Sequence, residues 1–144
     1  MFSKACEYGI RASIFIAGES LEGRRPSLNA IANEIDSPVA FTAKVLQQLV
    51  RNELIDSSKG PAGGFEISRK QMEKLSLSRI VEAVDGDSMY TGCGLGLKAC
   101  SDKHPCPAHF KFVKIRENLK VMLETTTVYE LALGLNNGIA FLRK

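Results

Sequence analysis

The chain has 144 residues, 44% hydrophobic and 24% charged, with a formal net charge of +3 and a pI near 8.7. That length and balance suit one globular domain, or a small domain with an arm, and exclude a disordered chain. No apolar run reaches the roughly 18–20 residues of a membrane span, and Glu7 interrupts the start where a secretory leader would turn apolar, so a cytoplasmic protein with no membrane partner is expected.

Tyr8, Ala12, Phe15 and Ile16 recur at helical spacing and predict a first helix over 3–20. The segment 21–26 breaks it, and Ser27 caps a second helix with Leu28, Ile31, Ala32 and Ile35 on one face. Asp36-Ser37-Pro38 stops that helix and starts the next, because proline suits a first helical turn. The third helix is expected over 39–52. Thr42, Val45, Leu46 and Leu49 fall on one side of it; Ala40, Lys44, Gln47, Gln48 and Arg51 fall on the other. Two short helices joined by a tight turn, the second with a polar and basic outer face, describe a helix-turn-helix. A strand at 54–58, a Gly- and Pro-rich turn at 59–64 and a returning strand at 65–68 follow at the place where a winged helix carries its wing.

Ser76 opens a further helix carrying Leu77, Ile80, Val81 and Val84, which Asp85-Gly86 ends. Periodicity then disappears over 87–107, a stretch long enough to suggest a working loop. Phe112, Ile115, Leu119 and Met122 restore helicity with a narrow seam that suits packing against a symmetry mate. Thr127 with Glu130 forms a capping box for a last helix through Val128, Leu131, Ala132 and Leu135. The expected fold is mainly α with a small β-hairpin wing. It divides into a winged helix-turn-helix domain over 1–86, a cysteine loop over 87–107, and a long dimerisation helix with a C-terminal helix over 108–144.

The loop contains Cys93-x6-Cys100-x5-Cys106, with His109 three positions further on. Three thiols in a Gly- and Pro-rich segment do not read as core, and in a reducing compartment they are ligands or reactive thiols rather than a disulfide frame. Thiolates favour zinc or iron–sulfur clusters. Zinc sites more often use ligands paired about two residues apart, so the wider gaps here favour a cluster; zinc and bare redox-active thiols remain the alternatives. A fourth ligand is needed, for which His109 is nearest and Glu7 on the first helix is the other candidate. Cys6 reads as a small buried apolar group and His104 as solvated. A cysteine nucleophile with His104 or His109 as base would need an orienting residue or a nucleophile elbow; neither is seen in the sequence, and no enzyme is expected.

Four stretches carry a family resemblance: Ser3-Lys4-x-x-Glu7-Tyr8-Gly9-Ile10-Arg11-Ala12, Phe41-x-x-x-Val45-Leu46-Gln47-x-Leu49, Lys59-Gly60-Pro61-Ala62-Gly63-Gly64-Phe65 and Val81-Glu82-Ala83-Val84-Asp85-Gly86. With them the chain resembles, over essentially its whole length, the Rrf-two-type family of bacterial transcription regulators. The resemblance implies a homodimer whose recognition helices enter successive major grooves, whose wings reach minor grooves, and whose long penultimate helices cross. Several members hold a 2Fe–2S or 4Fe–4S cluster in this loop, and its state alters DNA affinity. Carried over, Cys93, Cys100, Cys106 and His109 become the ligands of an iron–sulfur cluster, most simply 2Fe–2S, with Glu7 near the acidic first-helix ligand of other members. The first gap, six residues, is longer than is common in the family and bears on cluster type.

The implied function is a DNA-binding transcriptional regulator, read here as a repressor, sensing iron–sulfur status, nitric oxide or redox. The alternative is a winged-helix regulator with a structural zinc or a cluster-free thiol switch in the same loop. Its partner would be a near-palindromic double-stranded operator. Lys44, Gln47 and Gln48 would read the major groove. Ser37, Ala40 and Thr42 would touch phosphates or a thymine methyl near the helix start, and Lys59 beside Gly60 would enter the minor groove. Arg11, Arg51 and Arg69 would meet phosphates.

Overall fold

The computed structural model describes residues 1–143. Helix α1 (Lys4–Leu21) begins at Ser3, whose side chain accepts from the Cys6 amide at 3.0 Å. Helices α2 (Leu28–Glu34) and α3 (Val39–Arg51) follow, the first capped by Ser27 and the second entered through Pro38. Asp36 sits between them in the left-handed region, φ 51°, which lets the chain reverse within a few residues. Strands β1 (Asp56–Ser58) and β2 (Gly64–Glu66) pair antiparallel, with Asp56 opposite Glu66, Ser57 opposite Phe65 and Ser58 opposite Gly64. After them come α4 (Arg69–Lys74), α5 (Leu77–Asp85), α6 (Ser88–Thr91), α7 (His109–Thr125) and α8 (Val128–Asn136).

The expected winged helix is present, with three differences. Both wing strands are shorter than their apolar flanks suggest, because Leu54, Ile55 and Ile67 turn into the core and leave only exposed Asp56–Ser58 and half-buried Gly64–Glu66 to pair. Helix α4 was not foreseen; it is short and buries only Met72, so it lacks a periodic stripe, although a complete Ser68–Gln71 capping box marks its start. Helix α6 places one turn inside the stretch expected to be irregular throughout.

Helix α1 is the axis of the molecule and packs against α3, α5 and α8. Ile16, Leu46, Leu49, Ile80 and Leu123 are fully buried around it. A Cβ at Gly18 would stand 2.7 Å from Asn136 Oδ1 and displace that amide, whose Nδ2 donates to the Gly18 carbonyl at 3.0 Å and ties α8 to α1. Leu77 N and Val128 N donate to Thr126 O and Leu75 O at 3.0 and 2.8 Å, bridging the starts of α5 and α8. Leu123, Val128 and Ala132 therefore belong to the same core as the helix-turn-helix. Helices α7 and α8 thus close the same body through these residues.

The apolar seam expected on α7 is split between two faces. Phe112 and Leu119 are half-buried, in line with buried His109 and Leu123, whereas Ile115 and Met122 stay 62% and 45% exposed. The helix thus has an inward stripe for its own subunit and an outward one with Phe110 and Val121. Among the described residues no helix is long and apolar enough to cross a membrane.

Candidate nucleic-acid interface and cysteine loop

On the outer face of α3, Ala40, Lys44, Gln47 and Arg51 are exposed. Gln47 and Arg51 share a concavity with Ser57, Ser58 and Lys59 of the wing, so recognition helix and hairpin form two walls of one groove. Lys44, Arg51 and Lys59 enter no ion pair among the described residues. Gly60 adopts φ 93° at the exposed wing tip, a conformation that favours glycine, and the Gly63 amide closes the turn on its carbonyl at 2.9 Å.

The wing is anchored at its base. Arg25 donates to Glu66 through Nε and Nη2 at 3.1 and 3.0 Å and to Ser58 Oγ at 3.2 Å, while Phe65 N donates to Pro26 O at 3.0 Å. Sequence reading missed this clamp because its partners lie some forty positions apart. Tyr8 meets Phe41 edge-on at 5.5 Å and carries the Arg11 guanidinium over its ring at 5.1 Å, which holds α3 against α1.

Four side chains expected at DNA make bonds within the chain. Thr42 is 1% exposed, and its hydroxyl bonds Pro38 O at 2.8 Å and the Ser37 hydroxyl. Both hydroxyls stitch the turn rather than face a groove. Gln48 is half-buried, its Nε2 donating to Ala83 O of α5 at 2.8 Å, because position 48 has rotated past the outer face of the helix. Arg69 bonds Glu73 at 2.9 Å and stacks on Tyr129 at 4.4 Å, fastening α4 to α8.

In the cysteine loop all three thiols are half-buried and free. His109 is 4% exposed, as the first residue of α7 pressed beneath the loop. Its Nδ1 lies 3.4 Å from Cys100 Sγ and its Nε2 2.6 Å from Asp102 Oδ1. Arg116 Nη2 donates to the same sulfur at 3.3 Å, and its Nη1 donates to Gly92 O. Cys93 lies beside Cys106. The backbone amides of Leu95 and Leu97 hold the Cys93 thiol below its ordinary range, and the Cys106 side chain and Gly96 amide add to this against the opposing effect of burial. A Cβ at Gly94 would fall 2.5 Å from the Phe112 ring, so glycine lets the loop lie flat on α7.

The four proposed ligands thus form two pairs, Cys93 with Cys106 and Cys100 with His109. Among the described residues no three His, Cys, Asp or Glu side chains are gathered closely enough to hold a metal ion. Glu7, the alternative ligand, is paired with Lys4 at 3.1 Å on the exposed side of α1. The donor set itself, three thiols and an imidazole with amides aimed at sulfur, suits an iron–sulfur cluster or zinc. Cys6 is wholly buried, as expected, and burial, with Asp85 and then Glu7 nearby, pushes its thiol up to about 12.

The family profile for Rrf2, described as iron-dependent transcriptional regulator, matches residues 2–133. The chain belongs to the Rrf2 family. A protein of Aquifex aeolicus (strain VF5) assigned as an HTH-type transcriptional regulator is 28% identical over 133 residues, 91% of this chain and 90% of that one. The HTH-type transcriptional regulator IscR of Serratia proteamaculans (strain 568) is 26% identical over 124 residues, 86% of this chain and 74% of its own. Among solved structures, CymR (YrzC), the global cysteine regulator of B. subtilis, superposes with a TM-score of 0.74 at 20% identity, over 92% of this chain and 96% of that one. That likeness establishes the Rrf2 winged-helix fold. The chain is accordingly a DNA-binding transcriptional regulator and not an enzyme.

Two residues around the cysteines, Asp102 in the loop and Arg116 on α7, escaped sequence reading. Asp102 supplies the orienting carboxylate for His109 that had not been found, and Arg116 reaches the sulfur from within the helix. Arg116 had a signal: it lies seven positions after His109, two helical turns on, and so on the same inward face. Asp102 had none, since the loop has no periodicity to orient it.

Proposed function

We propose that this Rrf2 regulator acts as a homodimer on a near-palindromic duplex, and that Cys93, Cys100, Cys106 and His109 hold an iron–sulfur cluster, 2Fe–2S, whose state sets DNA affinity. The observation that carries this reading is His109. One ring nitrogen is turned to the Cys100 sulfur at 3.4 Å and the other is held by Asp102 at 2.6 Å. A carboxylate on the far nitrogen is how metal-bound imidazoles are fixed in tautomer and direction. The segment 94–99 between the two pairs is exposed throughout, so burial does not oppose their convergence. When bound, the cluster supplies reversible one-electron chemistry and a centre that iron supply or nitric oxide can alter.

Lys44 and Gln47 read base edges, Arg51 and the exposed start of α3 at Ala40 meet phosphates, and Lys59 enters the minor groove beside Gly60. The outward stripe of α7, with Ile115, Val121 and Met122 exposed, is covered by the same helix of a second copy. Two reading heads then meet half-sites about 34 Å apart. Ala83, which holds Gln48 of the recognition helix, lies three residues before Gly86 and the loop, so a reordered loop can bias the set of the heads.

Anaerobic purification tests this directly. The expected product is a coloured dimer with stoichiometric iron and sulfide, whose operator affinity differs between cluster-loaded and cluster-free forms. A colourless protein with one zinc per chain would replace the cluster with a structural zinc. The cluster-free thiol switch draws on Cys93 beside Cys106, and it would show instead as a colourless protein whose DNA affinity follows added oxidant.

A further inference from the structure

Arg116 stands on the inward face of α7 with its guanidinium beneath the loop. One amino group donates to Cys100 Sγ at 3.3 Å and the other to the carbonyl of Gly92, the residue before Cys93. No carboxylate pairs with it among the described residues, and its Nε is buried without a partner. A permanent positive charge is thus carried into the sulfur centre with no counter-anion of its own. Surface ion pairing, the ordinary use of arginine on a helix, does not account for that placement; the nearest electron-rich atoms are a thiol sulfur and a carbonyl.

We propose that Arg116 is a positioning and charge-setting residue of the cysteine centre. Its fork fastens two points of the loop, Gly92 and Cys100, to α7, so that a change at the sulfurs is felt by the helix. Its charge favours the more negative state of the centre that the Cys100 sulfur joins. Hydrogen bonds and positive charge at ligand sulfurs raise the reduction potential of an iron–sulfur cluster, because reduction adds one electron and no compensating proton is required. The charge-setting half rests on the cluster reading above; the fastening half does not.

The test uses the full-length protein with Arg116→Gln and Arg116→Lys. In anaerobically loaded protein titrated with dithionite as electron donor, Arg116→Gln is expected to disfavour reduction about tenfold, a fall of about 59 mV in midpoint potential for one electron. Arg116→Lys keeps the charge and falls by less than half of that. In cluster-free protein, hydrogen exchange at the amides of Gly92 and Gly96, which bond Ser88 O and Cys93 O, is expected to quicken in both variants, since lysine cannot span two acceptors as the fork does. Exchange in α1, α3 and α5 stays as in the parent. An unchanged potential with faster exchange would overturn the charge-setting role, and unchanged exchange would overturn the fastening role. If the parent protein takes up no cluster, the cluster reading falls while the exchange comparison still decides the fastening.

Discussion

The body of the molecule and its cysteine loop are built on opposite terms. From α1 to α5, each helix buries at least one side chain against the others, and Ile16, Leu46, Leu49 and Ile80 meet in one core. From 87 to 108 no residue is fully buried; Met89 and Tyr90 lean part-buried on the core, and the loop beyond them is held by a histidine, an arginine and a few backbone bonds. A segment with little apolar burial opens at low free energy, whereas the core opens only with the whole fold. The contrast teaches that the helix-turn-helix body is held by its own core, while the loop is not. The proposed cluster would draw on that division, because a ligand shifts an equilibrium only by its differential affinity for the two states.

The sharpest way to break this contrast is to cut into each region in turn. Leu46→Ala, at a fully buried position, is expected to cost about 2–5 kcal/mol in denaturant unfolding. If it cost less than 1, the body would be no firmer than the loop. Lys59→Ala is expected to weaken operator binding by about 1–3 kcal/mol in gel shifts while leaving unfolding unchanged; no loss would remove the wing from the interface. Arg25→Ala frees the wing base from an exposed ion pair, so its stability cost is expected below about 1 kcal/mol. Operator binding in that variant reports whether the wing must be held in place. Smallest of all, Cys100→Ala in cluster-free protein is expected to change stability by no more than about 0.5 kcal/mol. A large loss there would show that the loop supports the fold.

Cys6 sharpens the comparison through pH. Its thiol is raised by burial from the ordinary 9.0 to about 12, so the folded state keeps the proton that the unfolded chain releases. The stabilisation is complete below pH 9 and is lost as pH rises toward 12. Cys6→Ala is expected to flatten that alkaline decline. In the parent protein at pH 8, alkylation should modify Cys93, Cys100 and Cys106 before Cys6, which waits for unfolding.

Legibility in the sequence followed the physics of each region. Helices with a continuous apolar stripe, such as the one through Leu77, Ile80 and Val81, were placed to within a residue or two. Ser3, Ser27 and Thr127 marked true starts because a short polar side chain at an N-cap has a local job. Residues near the border between two faces were harder to orient. Gln48 and Thr42 stand on a recognition helix, yet a difference of one position turns an amide from the groove to Ala83 and a hydroxyl to Pro38. On α7 a single periodic pattern concealed two stripes, since spacing fixes neighbours on a helix but not which side meets its own subunit.

What the sequence determined by itself was the order and kind of every element except the short α4 and α6, the wing, the three sulfurs and the family, all carried by local spacing and by motifs a few residues long. Only the tertiary structure decided that α8 closes the core against Gly18, that Arg25 pins the wing, and that Asp102 and Arg116 converge on His109 and Cys100. Those contacts join residues from seven to more than a hundred positions apart, most of them across an aperiodic loop or between separate elements. Their partners are chosen by how packed helices bring distant side chains within reach, which no local pattern encodes.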